Sequence, residues 1–411
     1  MTAPVAGRRV VVTGMGAVSG IGVGLREFAD ALRAGRSAAA PATSFDTTGF
    51  PSEIVCEVRG FVPGDWIRTL DPARLGRAAQ FAAAAARMAV QDAGLEPETL
   101  ARCRGLVTIG TTNGESQDVD ELTAADVREG PDRMRPELAR RVPPQTIATS
   151  VARELGLSDV DARVIGTACS AGNYAIGEGL DAIRLGLADY VLCGGSDAVS
   201  RKTFAAFHRL GLVAPDACRP FDAERRGIVT GEGAGVLLLE SAEHAAARGA
   251  RVHAEVLGYG LNCDGEHPVA PSRASVGRCM RLALEDAGVK PEEVGFISAH
   301  GTGTQLNDIT ECDAIRDVYG DRTPPVVSLK SMLGHTMGAA SALAAIACAL
   351  AMTEEFIPPT INHRQTDPAC DVDCVPNVAR PARVDVVQNN GFAFGGDNAV
   401  VVLGRYGREE R

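Results

Sequence analysis

Residues 163–190 read RVIGTACSAGNYAIGEGLDAIRLGLADY, and residues 326–352 read VVSLKSMLGHTMGAASALAAIACALAM. Each opens on a strand-like run, Arg163–Ile165 in one and Val326–Leu329 in the other. Each then passes a glycine-bearing turn with one reactive side chain and continues as a helix rich in Ala, Gly and Leu. Such an internal echo predicts two similar α/β halves whose equivalent helices start at a shared centre. The polar, helical stretch SAEHAAARGAR at 241–251 is the expected junction, dividing the chain into 1–250 and 251–411. Outward from these two stretches, further strands are expected at Arg9–Thr13, Gly105–Gly110, Tyr190–Cys193, Val236–Glu240, Val252–Gly258, Gly295–Ala299 and Val400–Leu403. They alternate with helical patterns at Leu75–Asp92, Gly172–Leu187, Ser275–Asp286 and Gly338–Met352, which is an α/β arrangement.

The chain has 411 residues, 45% of them apolar and 23% charged, enough for a substantial core. That composition excludes a disordered chain, a collagen and a coiled coil. A net charge of −11 argues against nucleic acid as a partner, and an acidic protein partner would need a local basic patch. Only Lys202, Lys290 and Lys330 are lysines; every other cationic side chain is Arg. The eleven cysteines show no zinc-type pairing, and Cys370 and Cys374, with His363 nearby, come closest. No metal is expected. An odd count in a long chain argues against a secreted disulfide scaffold and for buried thiols in a reducing cytosol. The first residues lack the pattern of a signal peptide. No apolar run reaches the roughly 18 residues of a membrane span. Ala339–Met352 comes nearest and reads as a core helix, so a cytoplasmic protein with no membrane partner is expected.

Four places offer chemistry. VVVTGMGAVSG at 10–20 reads as a strand and a glycine-rich turn, where a dinucleotide could sit. A short-chain reductase would also need Tyr-x-x-x-Lys, but the residues four before the lysines are Ala198, Asp286 and Val326. A structural strand–turn is the better reading. Cys169, in GTACSAG, sits at a helix N-terminus, where the dipole favours the thiolate by only about 0.3–1 kcal/mol. That is below one pKa unit, about 1.4 kcal/mol, so a nucleophile there needs a second activator, a histidine for preference. Locally, a nucleophile and a buried structural thiol both remain open. His300 in SAHGTGT and His335 in KSMLGH stand in small-residue turns at strand–helix junctions. His208, His244, His253, His267 and His363 have polar surroundings and read mostly as surface residues.

Cys169, H-G-T-G-T, K-S-x-x-G-H and the late G-F-A-F-G-G at 391–396 together resemble the β-ketoacyl synthases of the thiolase superfamily. The resemblance is to the elongating Cys-His-His branch, which includes β-ketoacyl-[acyl-carrier-protein] synthase II and the ketosynthases of type II polyketide systems. It runs over essentially the whole chain. The second histidine separates it from the Cys-His-Asn priming branch and from the degradative thiolases.

The resemblance implies a thiolase fold, with duplicated α/β halves in a five-layer αβαβα sandwich. It implies a decarboxylative Claisen condensation between a Cys169-bound acyl chain and malonyl-acyl carrier protein, with His300 and His335 stabilising the enolate. By the same resemblance Lys330 and Glu311 support the histidines, and Thr302 and Thr304 bind the phosphopantetheine arm. Phe394 is the gate, its backbone N–H pairs with that of Cys169 as an oxyanion hole, and Gly391, Gly395 and Gly396 give its loop freedom. No cofactor is implied beyond the carrier's phosphopantetheine. Asp397 stands where the family usually has Thr, and Ser19–Gly20 where Ser-Pro is usual. Cationic candidates for carrier docking are Arg68, Arg74 and Arg77, with Arg201, Lys202 and Arg209 as a second cluster. A dimer is implied, either with a second copy or with a chain-length factor homologue. C-S-A-G-N-Y after the nucleophile favours the polyketide reading. Fatty-acid elongation is the alternative, and a non-catalytic chain-length factor is disfavoured by Cys169.

Overall fold

A computed structural model describes residues 8–408. Of the stretch read for a leader, residues 1–14, residues 1–7 lie outside the described residues. Ten strands form the framework: β1 (Val10–Ser19), β2 (Gly105–Gly110), β3 (Val160–Ile165), β4 (Tyr190–Asp197), β5 (Gly233–Ser241), β6 (Ala254–Cys263), β7 (Phe296–Ser298), β8 (Val326–Val327), β9 (Val386–Phe392) and β10 (Asp397–Gly404). Their order is β8-β7-β9-β10-β6-β1-β5-β4-β2-β3. Adding five to each label of the first half gives the second half, read outward from β1 and β6. The pairings repeat as well: β2 is parallel to β3 and β4, and β5 runs antiparallel to β4 and β1. In the second half β7 is parallel to β8 and β9, and β10 runs antiparallel to β9 and β6. The two five-strand sets join through a short antiparallel seam, Val10↔Val256 to Val12↔Ala254.

Six helices complete the duplication: α1 (Arg77–Asp92), α2 (Thr146–Glu154), α3 (Ala171–Arg184), α4 (Arg273–Ala287), α5 (Gln305–Tyr319) and α6 (Ala340–Glu354). α1 packs on β1, β5 and β4, and α2 on β2 and β3; α4 covers β6 and β10, with α5 against α4. α3 and α6 touch each other and strands of both halves, so they form the central layer. This is the five-layer sandwich of the thiolase fold. Every residue of α6 from Ala340 to Met352 is buried, as expected of a helix enclosed on all sides. With the preceding turn, Met337–Glu354 is long and apolar enough to cross a membrane, slightly beyond the run read from sequence, but it is 89% buried in the protein interior.

The glycines at 14 and 16 correct the sequence reading. They form no turn: β1 continues through them to Ser19, with a bulge between Val12 and Gly14. A Cβ at Gly14 would lie 2.0 Å from the Ala89 carbonyl oxygen, and one at Gly16 1.9 Å from that of Ala85. The two positions let α1 lie directly on the sheet. Gly258 and Gly260 play the same part in β6, under Ala287 and Cys279 of α4. His253 is also buried rather than at the surface, with Nε2 2.7 Å from Asp92 Oδ2 beside the seam.

Candidate active site

Two short 3-10 turns meet at the molecular centre, Ala168–Ser170 ahead of α3 and Met337–Ala339 ahead of α6. Each begins with a non-glycine residue at positive φ, Ala168 at 48° and Met337 at 53°. Such backbone is costly and persists where the surroundings fix it. Here α3 is locked to α6 and to the sheet: the Asn173 N–H donates to Ser341 Oγ at 3.0 Å, and Asn173 Nδ2 donates to the carbonyls of Asn389 in β9 and Ala399 in β10 at 3.0 and 3.1 Å.

Cys169 lies in the first turn, 6% exposed. Burial pushes its thiol up to about 12, and Asp197 adds to that; Lys330 and the N–H groups of Cys169 itself and Phe394, both bonded to the sulfur, oppose it. His300 follows β7 and His335 follows the short helix Lys330–Leu333, with ring centroids 5.6 Å apart at 81°. His335 Nδ1 accepts the Met337 N–H at 3.2 Å. Lys330 Nζ lies 3.5 Å from His300 Nδ1 and donates to the His300 carbonyl at 2.5 Å. With a donor facing each Nδ1, the proton is assigned to Nε2 in both rings. Burial holds both imidazoles well below their ordinary value, and Lys330 acts in the same direction. Both are neutral donors at neutral pH.

Glu311 on α5 is buried behind His300, its two oxygens each accepting one backbone N–H, from His300 and Gly301, at 2.8 Å. It also accepts Asn390 Nδ2 at 2.9 Å, and burial raises its pKa. Thr302 and Thr304 share a hydroxyl contact of 2.9 Å. Cys169, His300, His335, Thr302, Thr304 and Phe394 all line one cavity of about 530 Å³. Phe394 is 37% exposed at its edge, with Phe207 between it and His335 at centroid distances of 5.8 and 6.5 Å. Lys330 and Glu311 stand behind that wall.

Of this chain, residues 7–245 match the family model described as "Beta-ketoacyl synthase, N-terminal domain", and residues 253–364 match "Beta-ketoacyl synthase, C-terminal domain". The chain belongs to the β-ketoacyl synthase family. Among relatives of this synthase, Nodulation protein E of Rhizobium meliloti (strain 1021) is 40% identical over 96% of this chain and 99% of its own. A 3-oxoacyl-[acyl-carrier-protein] synthase 2 of Synechocystis sp. is 36% identical over 97% and 98%. Among solved structures, the ishigamide ketosynthase/chain length factor is 58% identical, with a TM-score of 0.97 over 98% of this chain and 100% of that one. A type II polyketide ketosynthase in complex with its acyl-carrier protein is 34% identical, with a TM-score of 0.89 over 97% and 99%.

None of the cations read as docking candidates lines the synthase cavity. Arg77 is held by Glu232 through two bonds of 2.9 and 2.6 Å and lies over Phe81. Arg201 donates to the Asp46 carbonyl at 3.1 Å and covers Phe50. Arg68, through its backbone, donates to Glu154, and the Lys202 backbone donates to Asp120. Arg209 is exposed at the end of the helix Arg201–Arg209. Arg74 borders a separate groove with Arg135, Arg140, Arg141 and Arg153.

Two buried charges of the site were missed from the sequence. Asp197 ends β4 and accepts the Thr111 hydroxyl and the N–H groups of Thr112, Asn113 and Gly338 at 2.7–3.1 Å, so it ties the second turn to the first half. Burial pushes it up to about 6. Arg225, its side chain fully buried, donates to the carbonyls of Thr304 and Asp222 and to Asp367, fixing the loop that carries the two threonines. Neither has a local motif; each is defined by partners far away in sequence.

Proposed function

We propose that this synthase joins a Cys169-bound acyl chain to malonyl-acyl carrier protein with loss of carbon dioxide. The Cys169 thiol loses its proton as its sulfur attacks the carrier thioester; a new C–S bond forms, the thioester C–S bond breaks, and the departing pantetheine thiolate takes up that proton. A malonyl thioester then enters; its C–CO₂ bond breaks and the electron pair moves into an enolate. The neutral Nε2–H groups of His300 and His335 hold the enolate oxygen in a buried, low-dielectric site. The enolate carbon attacks the acyl-Cys carbonyl, whose oxyanion is held by the N–H groups of Cys169 and Phe394. Collapse releases the thiolate and the β-ketoacyl carrier. The observation that carries this reading is the convergence of Cys169, His300 and His335 on one cavity, with both imidazoles kept neutral.

In this reading Lys330 and Glu311 are positioning residues, Thr302 and Thr304 take the pantetheine arm, and Phe394 gates the pocket. The halves divide near residue 250, and the enzyme works in the cytoplasm without a cofactor of its own. The 58% likeness to a ketosynthase/chain length factor favours a type II polyketide ketosynthase working as a heterodimer over a fatty-acid elongation enzyme. Intact-protein mass spectrometry after incubation with an acyl-carrier thioester tests this, alone and with a neighbouring homologue. An acyl-sized gain absent from C169A supports the mechanism, and a gain requiring the homologue supports the heterodimer. No gain in either preparation, with folded protein, overturns the condensing reading.

A further inference from the structure

The two arginines on the cavity wall, Arg225 and Arg226, are adjacent in sequence and opposite in state. Arg225 has no free surface: it is paired with Asp367 at 2.6 Å and lies 3.6 Å from Asp308. Arg226 has a side chain 65% exposed, and its ion-pair contact among the described residues is Asp216 Oδ1 at 3.8 Å. That carboxylate is already held by Arg219 through two bonds of 2.9 and 2.8 Å. The cavity has a direction. Cys169, His300, His335 and Thr302 form its buried end, whereas Arg226, Gln305 and Leu306 are exposed at its rim.

The geometry points to Arg226 as the residue that binds the phosphodiester joining the pantetheine arm to its carrier. The assignment rests on reading the cavity as a carrier-thioester site. When the thioester carbonyl reaches Cys169, the other end of the arm lies toward the rim, and that end is a phosphodiester with one negative charge. A protein of net charge −11 presents an unfavourable general field to it, so a cation is needed at the point of contact. Apart from Arg225, which its own carboxylates occupy, Arg226 is the cation lining this cavity among the described residues. Its planar guanidinium can hold two phosphate oxygens at once. The long contact to Asp216 leaves the fork free to turn toward them.

Carrier-free donors separate the phosphodiester from acidic side chains of the carrier. Acylation of Cys169 is followed by intact mass with an acyl-phosphopantetheine methyl ester, which keeps the diester and its single charge, and with the same acyl-pantetheine lacking phosphate. The wild type is expected to show an apparent KM about three- to tenfold lower for the phosphorylated donor, the range for a partly exposed charge-assisted contact. R226Q is expected to abolish that difference and R226K to retain most of it. Equal KM values in the wild type, or a preference that survives in R226Q, overturns the assignment. So does a loss in R226Q of equal size for both donors. Failure of the wild type to be acylated by either donor or by the carrier thioester overturns the condensing reading, and this assignment with it.

Discussion

Lys330 Nζ donates to the carbonyl oxygen of His300 at 2.5 Å and lies 3.5 Å from the Nδ1 of the same residue. One ammonium therefore fixes the backbone of the His300 turn and the tautomer of its ring. Removing it in K330M should slow malonyl decarboxylation about ten- to a hundredfold, the usual worth of a hydrogen bond to a charged group. Acyl transfer to Cys169 should slow less, because the lysine meets the enolate through His300 but the thiol only through its field. Separate assays of carbon dioxide release and enzyme acylation check this. Equal losses in the two half-reactions contradict a positioning role.

Both histidines stay neutral across the physiological range, because burial lowers them well below 6.5. Decarboxylation by preacylated enzyme should therefore be flat between pH 6 and pH 8, with no step at the ordinary imidazole value. Truncating either ring to Ala should cost about 10²–10³ in rate, as for loss of an oxyanion donor. A titration near pH 6.5 that vanishes in H335A would contradict the assignment of neutral donors.

Cys169 is a thiol in the resting enzyme, pushed up to about 12. Its thiolate fraction, and with it the rate of alkylation by iodoacetamide, should rise about tenfold per pH unit from pH 7 to pH 9. Mass spectrometry of the labelled peptide measures this. A plateau below pH 8 contradicts it. K330M should lower the rate further, since Lys330 is the first influence opposing burial at the sulfur.

Glu115 accepts the Ala78 and Ala79 N–H groups at the start of α1, and burial raises it from 4.5 to about 7. The folded state thus binds this proton more tightly than the unfolded chain. Its effect on stability is absent below about pH 4.5 and grows as a penalty up to about pH 7. Across that window the wild type should lose up to about 1.4 kcal/mol per pH unit from this group. The Tm of E115Q, which does not titrate, should fall less between pH 5 and pH 7. Parallel Tm profiles for the two proteins contradict this.

The doubled architecture was legible because each half repeats a local pattern: a β-branched run, a turn opened by Thr167 or Thr336, then an Ala-rich helix. Glycine hid the end of β1 but not the ends of β2. β2 runs over Gly105–Gly110 as read, whereas β1 passes through Gly14 and Gly16, which serve a helix that sequence spacing alone does not place above them. Cys169, His300 and His335 stood out because small residues flank each one. Asp197 and Arg225 did not, because what marks them is satisfaction by backbone groups from other segments. Arg77 is the converse case: it reads as a surface cation, yet Glu232 and Phe81 hold it in place.

The paired turns also set a stoichiometry. Counting back from α3 and α6, the counterpart of Cys169 is Gly338, whose N–H is held by Asp197 at 2.7 Å. A Cβ there would lie 2.6 Å from Thr111 Cα and 2.8 Å from an Asp197 oxygen. That position of the second turn has no room for a side chain, so under the proposed mechanism a protein built twice over offers one nucleophilic thiol and loads one acyl chain.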